Sequence, residues 1–237
     1  MQWNGFKGKA KKLEDLDLPK IGHQIGVGED EVHAVIDVEA AGSGFDSQGR
    51  PRILFERHWF YRNLSGGKRT KAMQEGLAVK TWSRATYNKD QYKLLERAMK
   101  IDETAALKSA SWGMGQVMGF NHKTAGYDTV QAMVLSFMES EANHLQGMIN
   151  FIKSKGLDVK LRNHDWKGFA YGYNGSGYRQ NRYDEKLADA YAKWSRIKDT
   201  PWSPRTDKPT PSGPRTDKPT ILSLLLDLIK KLLGLGK

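Results

Sequence analysis

Between residues 128 and 155 the apolar side chains recur at intervals of three and four. Val130, Met133, Val134, Phe137, Leu145, Met148, Ile149 and Ile152 all fall on one helical face. A stripe this long commits the middle of the chain to helix, and Gly156 supplies the stop. Shorter segments repeat the pattern. Residues 29–41 do so, residues 88–100 turn Tyr92, Leu95 and Met99 inward, and residues 181–197 carry Tyr183, Leu187, Ala190, Tyr191 and Trp194. Residues 44–55 depart from it: the turn Asp46-Ser47-Gln48-Gly49-Arg50 precedes Ile53-Leu54-Phe55, which predicts a small hairpin. The expected fold class is mainly α, a helical domain with a small β-hairpin lobe. The Met and aromatic stripes are read as core and not as a cofactor box.

Composition breaks near residue 200. Six of the eight prolines lie in residues 201–220, and the heptapeptide PRTDKPT at 204–210 returns unchanged at 214–220. Pro and Thr at this density favour an extended, solvated spacer without a core. Beyond it, ILSLLLDLIKKLLGLGK places Ser223, Asp227, Lys230, Lys231 and Gly234 in one narrow helical arc, with Leu and Ile filling the rest. At ~1.5 Å per residue this helix is roughly 25 Å long, short for a bilayer crossing and interrupted by charge. It fits a cationic amphipathic helix lying in a membrane interface. The expected organisation is a globular domain over 1–200, a linker over 201–220 and the amphipathic helix over 221–237.

Lys plus Arg number 38 against 27 Asp plus Glu, so the chain carries a formal +11. Such a field attracts polyanions, including anionic lipid and the bacterial envelope. Nucleic acid is the third class, but no basic recognition helix or aromatic RNA-binding strand is legible, so no specific nucleic-acid partner is expected. There is no cysteine, which removes disulfides, thiolate nucleophiles and cysteine metal sites together. The six histidines show no metal spacing, and no phosphate or dinucleotide loop occurs. No metal and no cofactor are expected. Residues 1–12 are basic without a following apolar run, which reads as neither a secretory signal nor a membrane span. The chain is expected to be made in a cytoplasm, as a monomer, and to act elsewhere after release or from outside.

One carboxylate stands out. Val32, Val35, Ile36 and Glu39 occupy positions i, i+3, i+4 and i+7 of the first strong helix, so Glu39 shares a stripe with three aliphatics, while Asp37 faces away. Gly42 and Gly44 then end the helix. Desolvation and the negative end of the helix dipole both disfavour the ionised form there, which suits a general acid. Two glycine-rich segments add polar groups: SASWGMGQVMG at 109–119, with Gly115 and Gln116, and AYGYNGSG at 170–177, with Tyr173 and Asn174 in a turn before the last helix. Their amide and phenol groups suit sugar hydroxyls and N-acetyl groups.

In combination and order these features resemble the lysozyme superfamily, in the branch shared by goose-type lysozymes and soluble lytic transglycosylases. VEAAGSGFDSQGRPRILFERHWFYR, residues 38–62, is similar to the opening of the phage N-acetylmuramidase family. The resemblance covers roughly residues 20–200. It implies a lysozyme-like fold and an endolysin that cuts peptidoglycan glycan strands between N-acetylmuramic acid and N-acetylglucosamine. By motif position Glu39 matches the catalytic acid, Gln116 the family's glutamine, and Tyr173-Asn174 its substrate-cleft pair. Glycosidases ordinarily use a second carboxylate. Glu56, at the end of the predicted strand, is preferred to Asp46 in the turn, which is left as a substrate contact, and an ion pair of Glu56 with Arg52 or Arg57 is the competing reading. A lytic transglycosylase giving anhydro products, and a non-catalytic wall- or membrane-binding protein, are the alternatives.

Overall fold

The computed structural model describes residues 3–39 and 43–204; the linker and the amphipathic segment expected beyond residue 204 lie outside them. In chain order the elements are α1 (Asp17–His23), α2 (Glu29–Glu39), β1 (Ile53–Phe55), α3 (Arg57–Asn63), α4 (Gly66–Gln74), α5 (Gln91–Met99), α6 (Glu103–Lys108), β2 (Ala110–Trp112), β3 (Val117–Met118), α7 (Val130–Glu139), α8 (Glu141–Ser154), α9 (Asp158–Arg162), α10 (Trp166–Asn174) and α11 (Tyr183–Trp194). The described residues divide into two compact units. One comprises 3–13, 39 and 43–157; the other comprises 14–38 and 158–204. Helix α2 belongs to the second unit up to Val38, and its last residue, Glu39, belongs to the first.

In the first unit the expected stripe is the core. Val130, Met133, Val134, Phe137, Leu145, Met148, Ile149 and Ile152 are all buried, beside Phe55, Phe60, Leu95, Leu107 and Trp112. The single long helix expected over 128–155 is two helices. Ser140 breaks it with an extended backbone (φ −161°, ψ 155°), and its hydroxyl accepts from the N–H of Asn143 to start α8. The cause is distant in sequence: Lys11 donates its N–H to Glu139 O (2.9 Å) and accepts from Glu141 N–H (2.8 Å), so the N-terminal segment pairs with the chain at the break. Thr129, Asp90 and Asp102 cap α7, α5 and α6 in the same way as Ser140 caps α8.

The small β element is a three-stranded antiparallel sheet in the order β1-β2-β3. Here the sequence reading needs correction. The turn at 46–50 closes on a lone bridge between Phe45 and Pro51, and β1 pairs instead with β2, Ile53 opposite Trp112 and Phe55 opposite Ala110. The hairpin proper is β2–β3, inside the glycine-rich segment 109–119. It can turn there because Gly113 (φ +68°) and Gln116 (φ +46°) both take left-handed backbone.

In the second unit Phe169, Leu187 and Trp194 are fully buried, and α10 packs on α11. The His33 imidazole stacks on the Trp194 indole at 3.6 Å, and Asp37 accepts from Trp194 Nε1 at 2.8 Å. Buried Glu29 opens α2 and accepts the N–H of Thr200 at 2.9 Å. Among the described residues no helix is long and apolar enough to cross a membrane.

Candidate active site

Glu39 ends α2 half-buried, one turn beyond the buried Val32, Val35 and Ile36. The chain that leaves it is gripped at Ser43 and Gly44 by one carboxylate. Glu141, buried at the first turn of α8, accepts from the N–H of Gly44 (2.8 Å), the hydroxyl of Ser43 (2.9 Å), the N–H of Leu13 (3.0 Å) and Lys12 Nζ (3.1 Å). Burial alone would raise its pKa, but the two backbone donors, Lys12 and Ser43 together outweigh it and hold the group below its ordinary value. Glu141 is therefore an anion, with three donors on Oε1 and one on Oε2.

One turn along α8, His144 grips the same region from beneath. Its Nε2 lies 2.6 Å from Phe137 O and its Nδ1 accepts from the N–H of Met114 at 3.2 Å, which fixes the neutral tautomer with the proton on Nε2. Burial brings it down to about 4. The imidazole fills the space where a Cβ on Gly44 or on Gly113 would stand, so both positions need glycine.

Gly44 is tied onward to the hairpin. Its carbonyl accepts from Arg52 N–H (2.8 Å), and the Arg52 carbonyl accepts from Gly113 N–H (2.8 Å) and from Gln116 Nε2 (3.4 Å). The Gln116 amide also donates to Gly113 O (2.8 Å) and accepts from the Ser111 hydroxyl (2.7 Å). Both ends of this amide are spent on holding the β2–β3 turn. Gly115 lies in that turn with no room for a side chain, since a Cβ would stand 2.7 Å from Met148 Sδ. Asp46 plays the same part in its own turn, accepting from the N–H groups of Gln48 and Arg50 (2.9 Å each) and from Arg50 Nε (2.8 Å). Tyr92 OH donates to Pro51 O at 2.6 Å and pins that turn to α5.

Glu56 follows β1 directly, but as the residue capping α3 (φ −97°, ψ 97°) and not as a strand residue. Its backbone is held on both sides, N–H to Ser109 O (2.9 Å) and carbonyl to the N–H groups of Trp59 and Phe60. The competing ion pair with Arg52 or Arg57 gives way to other partners. Tyr87 OH donates to Oε1 at 2.7 Å, and His58 Nδ1 lies 3.3 Å from Oε2, with both His58 and Glu56 nearly enclosed. Arg57 Nε is instead buried without a partner, and Arg52 Nε donates to Phe45 O. Burial lowers the His58 pKa against the opposing pull of Glu56. The Tyr87 hydroxyl accepts in turn from Trp82 Nε1 at 3.0 Å.

Glu39, Asp46, Glu56, Gly115 and Gln116 all belong to the first unit. Tyr173 and Asn174 lie in the second. They are the last two residues of α10, with Gly175 (φ +74°) ending the helix, and not the open turn expected. Tyr173 stacks on Phe169 with centroids 5.5 Å apart. Sequence reasoning missed Glu141, His144 and Tyr87. The signal for the first two was present: a carboxylate and an imidazole three residues apart, directly after a capping serine.

Residues 29–195 match a family model described as N-acetylmuramidase. The chain belongs to this family. It is also similar to the crystal structure of a Burkholderia AP3 phage endolysin, at 36% identity with a TM-score of 0.71, over 79% of this chain and 73% of that one. No curated protein matches. The lysozyme-like helical fold with its small sheet is the one expected. The N-acetylmuramidase span opens at the first residue of α2 and takes in Glu39, Asp46, Glu56, Gly115, Gln116, Tyr173 and Asn174. The clamp residues Glu141 and His144 fall inside it as well.

Proposed function

We propose that this N-acetylmuramidase family member is an endolysin, a peptidoglycan hydrolase that cleaves the glycosidic bond between N-acetylmuramic acid and N-acetylglucosamine. Glu39 is its general acid. The observation that carries this is the helix-terminal Glu39 followed by a loop exit that Glu141 holds with four donors. A proton donor needs a fixed position relative to the bond it cleaves, and holding Ser43 and Gly44 supports that reading. Glu39 protonates the bridging oxygen, the sugar passes through an oxocarbenium-like state, and water completes hydrolysis. Glu56 is proposed as the second carboxylate, its orientation supported by Tyr87 and His58. Asp46, Gly115 and Gln116 border the substrate through the turns they hold, and Tyr173 and Asn174 are carried over from the family pattern as substrate contacts. The amphipathic segment 221–237 is proposed to engage anionic bacterial membrane, helped by the +11 charge.

The deciding experiment digests purified peptidoglycan with the parent chain and with Glu39→Gln, and identifies products by mass spectrometry. Reducing muropeptides from the parent, with a rate about 10²–10⁴-fold lower for Glu39→Gln, support the assignment. Anhydro products move the enzyme to the transglycosylase class. Full activity in Glu39→Gln removes Glu39 from the mechanism. Deleting residues 221–237 is expected to spare this digestion and weaken killing of intact Gram-negative cells; unchanged killing refutes the membrane role.

A further inference from the structure

Of the seven tryptophans, all of them within the described residues, Trp82 is the exposed one, with 54% of its surface in water. It lies between α4 and α5, where no helical periodicity places it. A freely rotating surface indole would need no explanation. This one is fixed. Its Nε1–H donates to Tyr87 OH at 3.0 Å, the two rings meet edge-on at 87°, and the same hydroxyl donates to Glu56 Oε1 at 2.7 Å. The Arg84 guanidinium stands over the indole, 5.4 Å from the ring centroid. A large apolar plane is thus held exposed with its polar edge satisfied, two hydrogen bonds from the proposed second carboxylate.

We propose that Trp82 is a stacking platform for one N-acetylhexosamine ring of the glycan strand. A pyranose presents axial C–H groups on one face and hydroxyls around its rim. The first fits the electron-rich face of an indole, and the second needs nearby donors, which Arg84 supplies. Thr81 and Arg84 beside it are exposed and polar, a setting that suits the hydroxyl rim of a sugar better than a lipid or an apolar peptide. Because the indole is already pinned by Tyr87, little rotational freedom is lost on binding. This inference rests on the glycosidase reading of the same unit and extends it to where the strand lies.

The test uses the full chain and an N-acetylglucosamine hexamer as probe. Binding is measured by calorimetry in a Glu39→Gln background, and steady-state kinetics on peptidoglycan in the parent background. Trp82→Ala is expected to weaken hexamer binding about tenfold and to raise KM by a similar factor with kcat within about twofold. Trp82→Phe, which keeps one six-membered aromatic ring but loses the pyrrole ring and its N–H, is expected to fall between the parent and Trp82→Ala. Unfolding midpoints of both should match the parent, since the side chain is exposed. Equal hexamer affinity in Trp82→Ala overturns the platform, and so does a fall in kcat with KM unchanged, which would mark an effect through Glu56. Should Glu39→Gln prove fully active, the catalytic assignment fails while the binding comparison at Trp82 still stands or falls by itself.

Discussion

The Tyr87 hydroxyl donates a 2.7 Å hydrogen bond to Oε1 of Glu56. Burial, that bond and the carboxylate's charge push the phenol up to about 12, so it keeps its proton around neutral pH. Tyr87 is a permanent donor. Its partner carboxylate meets Tyr87 OH at Oε1 and has His58 Nδ1 3.3 Å from Oε2.

Tyr87→Phe removes that donor and keeps the ring. Hydrogen bonds to charged groups are worth about 1.5–3 kcal/mol, and partial exposure here favours the lower end. The expected outcome is a fall in kcat/KM of roughly tenfold together with a modest drop in the unfolding midpoint, since the fold loses the same bond. A kcat/KM equal to the parent's would show that Glu56 needs no such support, or takes no part in the reaction.

Glu141→Gln tests the clamp behind Glu39. Glutamine has the size of glutamate, but it turns one acceptor into a donor facing either the N–H of Leu13 or that of Gly44, and it leaves Lys12 without its ion pair. A buried N–H left facing another donor, together with the lost ion pair, costs about 1–3 kcal/mol. Urea unfolding should register that loss, and amide exchange at Gly44 should speed up. Activity should drop at temperatures where the variant is still folded. Preserved activity in the folded variant would separate the clamp from Glu39.

Much of this was legible in the chain. The stripe from Val130 to Ile152 and the position of Glu39 at the end of its helix follow from side-chain spacing, a local property. What could not be read depends on residues far apart. The helix break at Ser140 is caused by Lys11, more than a hundred positions earlier, and the apolar stripe runs on across it unchanged. Strand β1 finds its partner at residues 110–112, so a turn motif at 46–50 pointed to the wrong pairing. Tyr87 lies in a segment without periodicity, and nothing in its neighbours announces a bond to Glu56. Gln116 was read as a ligand-facing amide because a sequence shows a polar group among glycines but not that Ser111 and Gly113 already occupy it.

Gly113→Ala is expected to be among the most damaging single substitutions in the hairpin. The backbone there is left-handed (φ +68°), and an added Cβ would stand 2.7 Å from His144 Cγ. Left-handed backbone disfavours alanine by about 1–2 kcal/mol, and overpacking against a buried ring adds about 1–3 kcal/mol. Gly49→Ala serves as the control: its φ is +75° but its Cβ would meet only the Ala10 methyl at 3.6 Å. Circular-dichroism melts should place Gly113→Ala well below Gly49→Ala. Equal midpoints would mean that His144 yields easily and does not hold the hairpin.

Acid should weaken the fold through two histidines. Burial brings both His33 and His144 down to about 4. His33 is stacked on Trp194 with Asp37 and Asp15 pulling it up and Lys193 pushing it down; His144 faces Phe137 O and Glu141, which raise it, and Lys12, which lowers it. In the unfolded chain an imidazole takes its proton near 6.5. Between about 6.5 and 4 the unfolded state therefore binds protons that the folded state refuses, and stability falls as pH falls through that window. Above 6.5 the contribution of both groups is complete, and below about 4 they add no further loss. A shift of this size is worth about 3 kcal/mol for each histidine, which is a large share of the stability of an ordinary domain. Urea midpoints measured at pH 7.0, 5.5 and 4.5 should drop steadily, and His144→Gln should be less stable at neutral pH yet show a shallower slope. A midpoint that stays level across the window would mean that these imidazoles are protonated in the folded protein, contrary to the acceptor role of His144 Nδ1 toward Met114.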